Sequence, residues 1–358
     1  MVFDSNRDGI MGLKKVITFG EIMMRLSTPG FQRFAQARGF DAIYAGAEAN
    51  VAIALSNLGV PADYITRLPD NDLGDSCINF LRQFGVGTGK IIRGGDRLGI
   101  YFVEMGASQR GNKVIYDRAN SSFATIDPSM IDWNDVLEDA CWFHWTGISP
   151  AVSKEAADAC MAAVVAAKEK GIPVSCDINY RGKLWKWGQS ASDVMAGLMP
   201  HVDVLVGNEE DAEKVFGIKA AGVDVEAGAV DASAFEDVAK NIMAMFPGLK
   251  VVAFTLRGSI NATHNTWSAI LYDGEKSYTA PIYDITDIVD RVGAGDSFSA
   301  GLIYGMLKFD DEERLQKTLD FATAISCLKH TIPGDSVIVK IEEIEDLMKG
   351  KTSGRISR

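Results

Sequence analysis

The chain has 358 residues, 47% hydrophobic and 23% charged, with a formal net charge of −12 and a pI near 4.9; this suits one large α/β domain or two smaller ones. The acidic balance argues against nucleic-acid binding, which needs a basic face, so arginines that take an anionic ligand must be placed locally. No apolar run reaches the roughly 18 residues of a membrane helix, the first fifteen residues lack a signal-peptide core, and Cys77, Cys141, Cys160, Cys176 and Cys327 are scattered without a C-x-x-C pair, which points to reduced thiols in a cytoplasmic protein.

Asp4-Ser5-Asn6-Arg7-Asp8-Gly9 imitates the first half of an EF-hand loop, but Lys15 stands where the bidentate Glu belongs, so no calcium site is expected. Met11 is a candidate natural start. Residues 1–13 and 350–358 read as terminal extensions of a domain covering 14–349. Val16–Gly20 reads as a buried first strand, Ile22–Ser27 and Phe40–Ala45 as short strands, and Glu48–Leu58 as a helix closed by Gly59. Ala62–Arg67 follows as a strand and Asp72–Phe84 as a helix. Gly99–Glu104 and Lys113–Asp117 form a second strand-rich patch joined through the Gly106–Gly111 turn.

From residue 141 the pattern alternates: strand Trp142–Thr146, helix Lys154–Lys170, strand Val174–Asp177, helix Gln189–Met199, strand Val202–Val206, helix Asn208–Phe216, helix Ala234–Met245 and strand Val251–Leu256. A hairpin around Asp273-Gly274, a glycine loop and two helices (Ser297–Leu307 and Asp311–Leu328) close the chain. The alternation predicts a mostly parallel sheet covered on both faces. The early strand-only patches, at about 22–45 and 99–118, are expected to pack as a small β-sheet lid over one end of it. Ligands in such folds bind at the carboxyl ends of the strands.

The stretch Asp290-Arg291-Val292-Gly293-Ala294-Gly295-Asp296-Ser297-Phe298 falls at that end. Taken alone it fits a plain loop before a helix as well as an anion site. In the second reading, backbone amides at the helix N-terminus receive anionic oxygens, and Asp296 stands beside them as a possible general base. The G-x-G-x-x-G dinucleotide fingerprint is absent. Tyr101, Tyr116, Arg118 and Arg181 stand out on or near strands. Tyr116 and Arg118 are two apart and share a strand face. Arg118 and Arg181 together suit a substrate carboxylate. Asn208-Glu209-Glu210-Asp211 opens a helix, where ordinary capping explains it, although its acidic residues could also hold Mg²⁺ through water. Of His144, His201, His264 and His330 none has metal-ligand spacing, and core or surface roles are favoured for all four; His144, in a strand reaching toward the site, is the one to watch.

These residues together resemble the PfkB (ribokinase-like) sugar kinase family over roughly residues 14–349. The carriers are Val-Gly-Ala-Gly-Asp-Ser-Phe with its preceding Asp290, and Gly46-Ala47-Glu48-Ala49-Asn50-Val51-Ala52. Within the family, Phe19-Gly20-Glu21, Gly-Ala-Glu-Ala-Asn, Tyr116-Asp117-Arg118 and Asp177–Trp185 are most similar to 2-keto-3-deoxygluconate kinases. The resemblance implies a three-layer α/β/α fold with a β-lid, and ATP-dependent phosphorylation of the terminal hydroxyl of that keto acid to its 6-phosphate. It implies Asp296 as base and Gly293, Ala294 and Gly295 as the anion hole. Gly46, Asn50, Tyr101, Tyr116, Arg118 and Arg181 become substrate contacts. Asn208, Thr255, Arg257 and Gly258 face ATP, and Glu210 or Asp211 holds Mg²⁺ through water.

The chain departs from the family pattern in reading Gly20-Glu21-Ile22 where furanose kinases carry an Asp, and in ending the family's Asn-x-x-Glu motif at Asp211. Kinases for fructose or for 2-keto-3-deoxygalactonate remain alternatives, as do, from other classes, a non-catalytic sugar sensor and a dinucleotide-dependent oxidoreductase. The open edges of the lid strands are expected to pair subunits in a homodimer or higher oligomer.

Overall fold

The computed structural model describes residues 14–219 and 232–351. The EF-hand-like stretch, Met11 and nearly all of the basic tail lie outside the described residues. Strand Lys15–Phe19 shows why the main sheet forms: Val16 packs into one apolar cluster, while Ile17 and Phe19 pack into another. Strand Ala140–Thr146 repeats this, with Trp142 on one face and Phe143 and Trp145 on the other. Successive side chains point to opposite faces, so strands apolar at every position must be covered twice. Helices Lys154–Glu169, Ala191–Leu198 and Ala232–Met245 cover one face; Ala47–Asn57, Ala294–Lys308 and Arg314–Lys329 cover the other. The expected three layers are present.

The main sheet has nine strands among the described residues. Ala62–Ile65, Lys15–Phe19, Ala140–Thr146, Val174–Asp177, Val204–Gly207 and Val251–Asn261 run parallel in that spatial order. His264–Tyr272 then turns back antiparallel, flanked by Ser277–Thr279 and Tyr283–Ile285. The small sheet orders Asp41–Ala45, Met23–Ser27, Ile100–Glu104 and Lys113–Asp117. Its edge strand Lys113–Asp117 is exposed at every residue.

Three elements differ from the sequence expectation in ways that matter to the site. Strand Val251–Asn261 continues past Leu256 because its second half is paired residue by residue with His264–Tyr272. The helix after the glycine loop starts at Ala294, which puts Gly295 and Asp296 in its first turn. A further helix, Ile341–Met348, follows the two expected at the C-terminus and buries Ile344.

Helix Ala294–Lys308 is seated by glycine. A Cβ on Gly301 would lie 2.7 Å from the Ala322 Cα, and one on Gly305 would lie 2.8 Å from the Thr318 Cα. The backbones of this helix and of Arg314–Lys329 therefore approach closely only without side chains at those points. Gly305→Ala is expected to lower unfolding stability by about 1–3 kcal/mol through overpacking. Urea unfolding followed by circular dichroism checks this, and an unchanged midpoint would contradict the close approach.

Candidate active site

The carboxyl ends of the parallel strands and the small sheet enclose a cleft of about 480 Å³, within the range of small-molecule sites. Asp290, just before the glycine loop, accepts from the Val292 N–H at 3.0 Å. Gly293 takes φ +84°, and a Cβ there would stand 1.9 Å from the Asp335 carbonyl oxygen, so only glycine fits. Gly295 differs: the nearest atom to a Cβ there is the Asp177 Oδ2 at 3.9 Å. A methyl group at 295 would occupy cleft space, not collide with the fold. The first-turn amides of a helix have no carbonyl of their own helix to bond, and here Gly293, Ala294, Gly295 and Asp296 all line the cleft. The cradle fits an anionic group.

The Oδ2 atom of Asp296 accepts from the Asn50 Nδ2 at 2.7 Å, and the Asn50 Oδ1 accepts from the Ser336 hydroxyl at 3.4 Å. Protein surrounds the Asp296 carboxyl, yet it keeps an opening to the cleft. Burial pushes its pKa up to about 6, against the lowering effect of the Asn50 hydrogen bond. Asp296 is thus mainly ionised at neutral pH but close enough to it to accept a proton. Gly46, at the N-cap of Ala47–Asn57, also borders the cleft. A Cβ there would meet the Glu21 carbonyl oxygen at 2.1 Å, so its first requirement is packing.

The small sheet supplies Tyr101, Tyr116 and Arg118. Tyr101 is buried and donates its hydroxyl to the Asp335 Oδ2 at 2.6 Å. Tyr116 is exposed, with its ring 5.8 Å from that of Tyr101. Arg118 lies just past the strand, 5.8 Å from the Tyr116 ring. Its Nε donates to the Glu21 Oε2 at 2.7 Å, and its Nη2 donates to the same oxygen. Sequence reading missed that Arg118 already has a carboxylate partner, 97 residues away. Its remaining donors are what it could offer a substrate. Arg181 lines the cleft at the exposed end of strand Val174–Asp177.

On the other side Asn208 caps helix Glu209–Phe216, accepting from the Asp211 N–H at 2.9 Å. Asp211 accepts from the Tyr180 N–H at 2.9 Å, and burial pushes its pKa up to about 6. Glu210, Thr255 and Arg257 line the cleft. Gly258 does not; it is buried within the strand opposite Thr266. The extended hairpin makes this position part of the sheet. No group of three or more His, Cys, Asp or Glu side chains among the described residues is placed to hold a metal. The donor set fits a divalent cation held through water by Glu210 and Asp211, not one caged by protein.

His144 is a core residue. It is fully buried, its Nδ1 lies 2.8 Å from the Ser175 hydroxyl, and burial lowers its pKa to about 3. His330 does border the cleft, neutral because burial lowers its pKa to about 4. Glu21, Glu48, Asp177, Asn179, Arg291 and Asp335 were also missed as cleft residues. All but Asp335 stood inside stretches the sequence singled out without being marked themselves; Asn179 takes φ +41° just after the strand carrying Asp177.

Comparison with known proteins adds the family. A model of the pfkB family of carbohydrate kinases matches residues 13–340. The chain belongs to that family. The crystal structure of 2-dehydro-3-deoxygluconokinase from Thermotoga maritima shares 48% identity and a TM-score of 0.88, covering 94% of this chain and 100% of that one. The 2-dehydro-3-deoxygalactonokinase of Haloferax volcanii is 32% identical over 342 residues, 95% of this chain and 98% of its own. The 5-dehydro-2-deoxygluconokinase of Shouchella clausii is 25% identical over 338 residues, 93% and 95% of the two chains. The fold is ribokinase-like, with a large, mostly parallel sheet and a small second sheet.

In this pfkB kinase, two carboxyls at the cleft, Asp296 and Asp211, have pKa values near 6. Both are raised, so both lose charge as pH falls through that value. Turnover is expected to be level at about pH 7–8 and to fall at least tenfold per pH unit well below about pH 6. Initial rates at saturating substrates, with stability checked at each pH, measure this. A level profile down to about pH 5 would contradict an ionised carboxylate as base.

Proposed function

We propose that the protein phosphorylates the terminal hydroxyl of 2-keto-3-deoxygluconate with ATP, giving the 6-phosphate, with Asp296 as general base. One observation carries the reading: Asp296 lies in the first turn of the helix whose N-terminus opens into the same cleft as Tyr101, Tyr116, Arg118 and Arg181. A six-carbon keto acid spans such a cleft with its carboxylate toward the arginines and its far hydroxyl toward Asp296. The 48% identity to a Thermotoga maritima protein bearing that activity's name supports it.

Asn50 orients the Asp296 carboxylate by its hydrogen bond, so that the free oxygen can take the proton of the attacking hydroxyl. The amides of Gly293, Ala294 and Gly295 stabilise charge on the transferring phosphoryl group. Arg257 and Thr255 bind the nucleotide side, with Asn208 shaping the helix start. When bound, Mg²⁺ would neutralise phosphate charge, held through water by Glu210 and Asp211. The galactonate epimer is the second reading, favoured by the Haloferax volcanii relative's name; it carries the same carboxylate and terminal hydroxyl.

The test is ADP release with each epimeric keto acid and with fructose, for the native chain, Asp296→Asn and Arg181→Ala. The keto acids are expected to exceed fructose in kcat/KM. Asp296→Asn should lower kcat by roughly 10²–10⁴-fold with folding intact. Arg181→Ala should raise the keto-acid KM by about tenfold or more, the worth of a charge-assisted hydrogen bond. A preference for fructose would sink the acid-sugar reading, and near-native kcat in Asp296→Asn would remove the base.

A further inference from the structure

Behind the glycine loop lies a cluster of charge that phosphoryl transfer itself does not use. Lys329, the last residue of its helix, is 0% exposed. Its ammonium donates to the Ile332 carbonyl at 3.0 Å and the Asp290 carbonyl at 3.2 Å. The Asp290 side chain accepts from the Arg25 Nη2 at 2.6 Å and from the Gly334 N–H at 3.2 Å. Arg25 Nη1 donates to Asp335, whose carbonyl oxygen confines Gly293. Two cations and two carboxylates are thus buried together and balance in charge.

A buried ammonium normally costs too much to keep unless its hydrogens are taken up and its charge is compensated. Here burial lowers the Lys329 pKa, Asp290 and Asp335 act against that shift, and two backbone carbonyls take up hydrogens of the ammonium. Carbonyl oxygens gathered around a compact cation are also how proteins hold a monovalent ion. The two carbonyls belong to the segments on either side of Gly293: residue 290 leads into the glycine loop, and residues 332–335 lie against it.

We propose that Lys329 is a positioning residue, a tethered monovalent cation that pins the 290–293 loop to the 330–335 segment and holds the anion site in shape. The proposal rests on reading residues 293–295 as that anion site. Because the cation is covalently supplied, turnover does not depend on small monovalent ions in solution. Removing the side chain leaves two carbonyls facing a cation-sized space near the charges of Asp290 and Asp335, into which an external ammonium ion can enter.

The experiment measures ADP release by the full chain at saturating substrates, in buffers whose only monovalent cation is choline, then with ammonium, methylammonium or potassium added. Native turnover should change by less than about twofold, because its site is filled. Lys329→Ala should lose on the order of 10²-fold in kcat, the scale of a misplaced oxyanion donor, with both KM values little changed, and ammonium or methylammonium should restore about tenfold or more. Lys329→Met, which fills the space with an apolar chain, should lose as much and regain nothing. Native turnover that falls in choline, or a Lys329→Ala loss that no cation relieves or that appears only in KM, would overturn the proposal. If Lys329→Ala does not fold, the native ion exchange decides alone. Asp296→Asn separates the two readings: near-native turnover there sinks the reaction proposed at this cleft, on which the role of Lys329 rests, whereas an inactive Asp296→Asn beside an unresponsive Lys329→Ala sinks only the role of Lys329.

Discussion

Arg25 holds the molecule's two sheets to one site. It stands on a strand of the small sheet, with its guanidinium buried between Asp290, which precedes the glycine loop, and Asp335, which packs against Gly293. Tyr101, from the neighbouring strand, donates to the same Asp335. Breaking a buried pair of this kind typically costs about 3–5 kcal/mol, since it strands a charge without solvent. The arrangement therefore does little as a source of net stability and much as a specification. The wall from the small sheet and the glycine loop of the main sheet are fastened at the same carboxylates, so neither is free to adopt its own position.

The cleft is acidic on its floor and basic on its walls. Asp177, Asp211, Asp296 and Glu48 converge at the carboxyl ends of the strands, while Arg118, Arg181, Arg257 and Arg291 surround them. Burial raises every one of those four carboxyls, Glu48 to about 7. Glu48 accepts from the Thr146 N–H and from the Thr146 and Ser149 hydroxyls, and it faces Asp296. Burial thus holds Glu48 and Asp296 alike above the ordinary carboxylate range. In a chain of net charge −12, an anionic ligand at this cleft has to be met by locally placed cations such as these arginines.

What could be read from the sequence was local. The alternation of strand and helix, the N-cap at Asn208 and the helix behind Gly293 depend on neighbours within a few residues, and each stands where expected to within a turn. Asp296 and Asn50 were legible through their motifs, although not that they touch. The ion pairs were not legible: Arg25 meets partners 265 and 310 residues away, and a lone arginine on a strand carries no sign of them. The same gap made Arg118 read as an unclaimed carboxylate binder when Glu21 already holds it. The core role favoured for the histidines holds at His144, because a strand pointing at the site also has residues pointing into its core. The strand through Gly258 runs on past Leu256 because of a hairpin pairing that the local sequence did not show.

The central claim is an orientation: the acid end of the sugar against the small sheet and Arg181, its far hydroxyl at Asp296. The position of the phosphate on the product reports it most directly. Product made from 2-keto-3-deoxygluconate and ATP is to be examined by phosphorus-31 magnetic resonance with proton coupling. One phosphomonoester resonance split by the two terminal methylene protons is the expected result. A phosphate coupled to a single methine proton, as on an inner hydroxyl, would contradict the orientation even if turnover were fast.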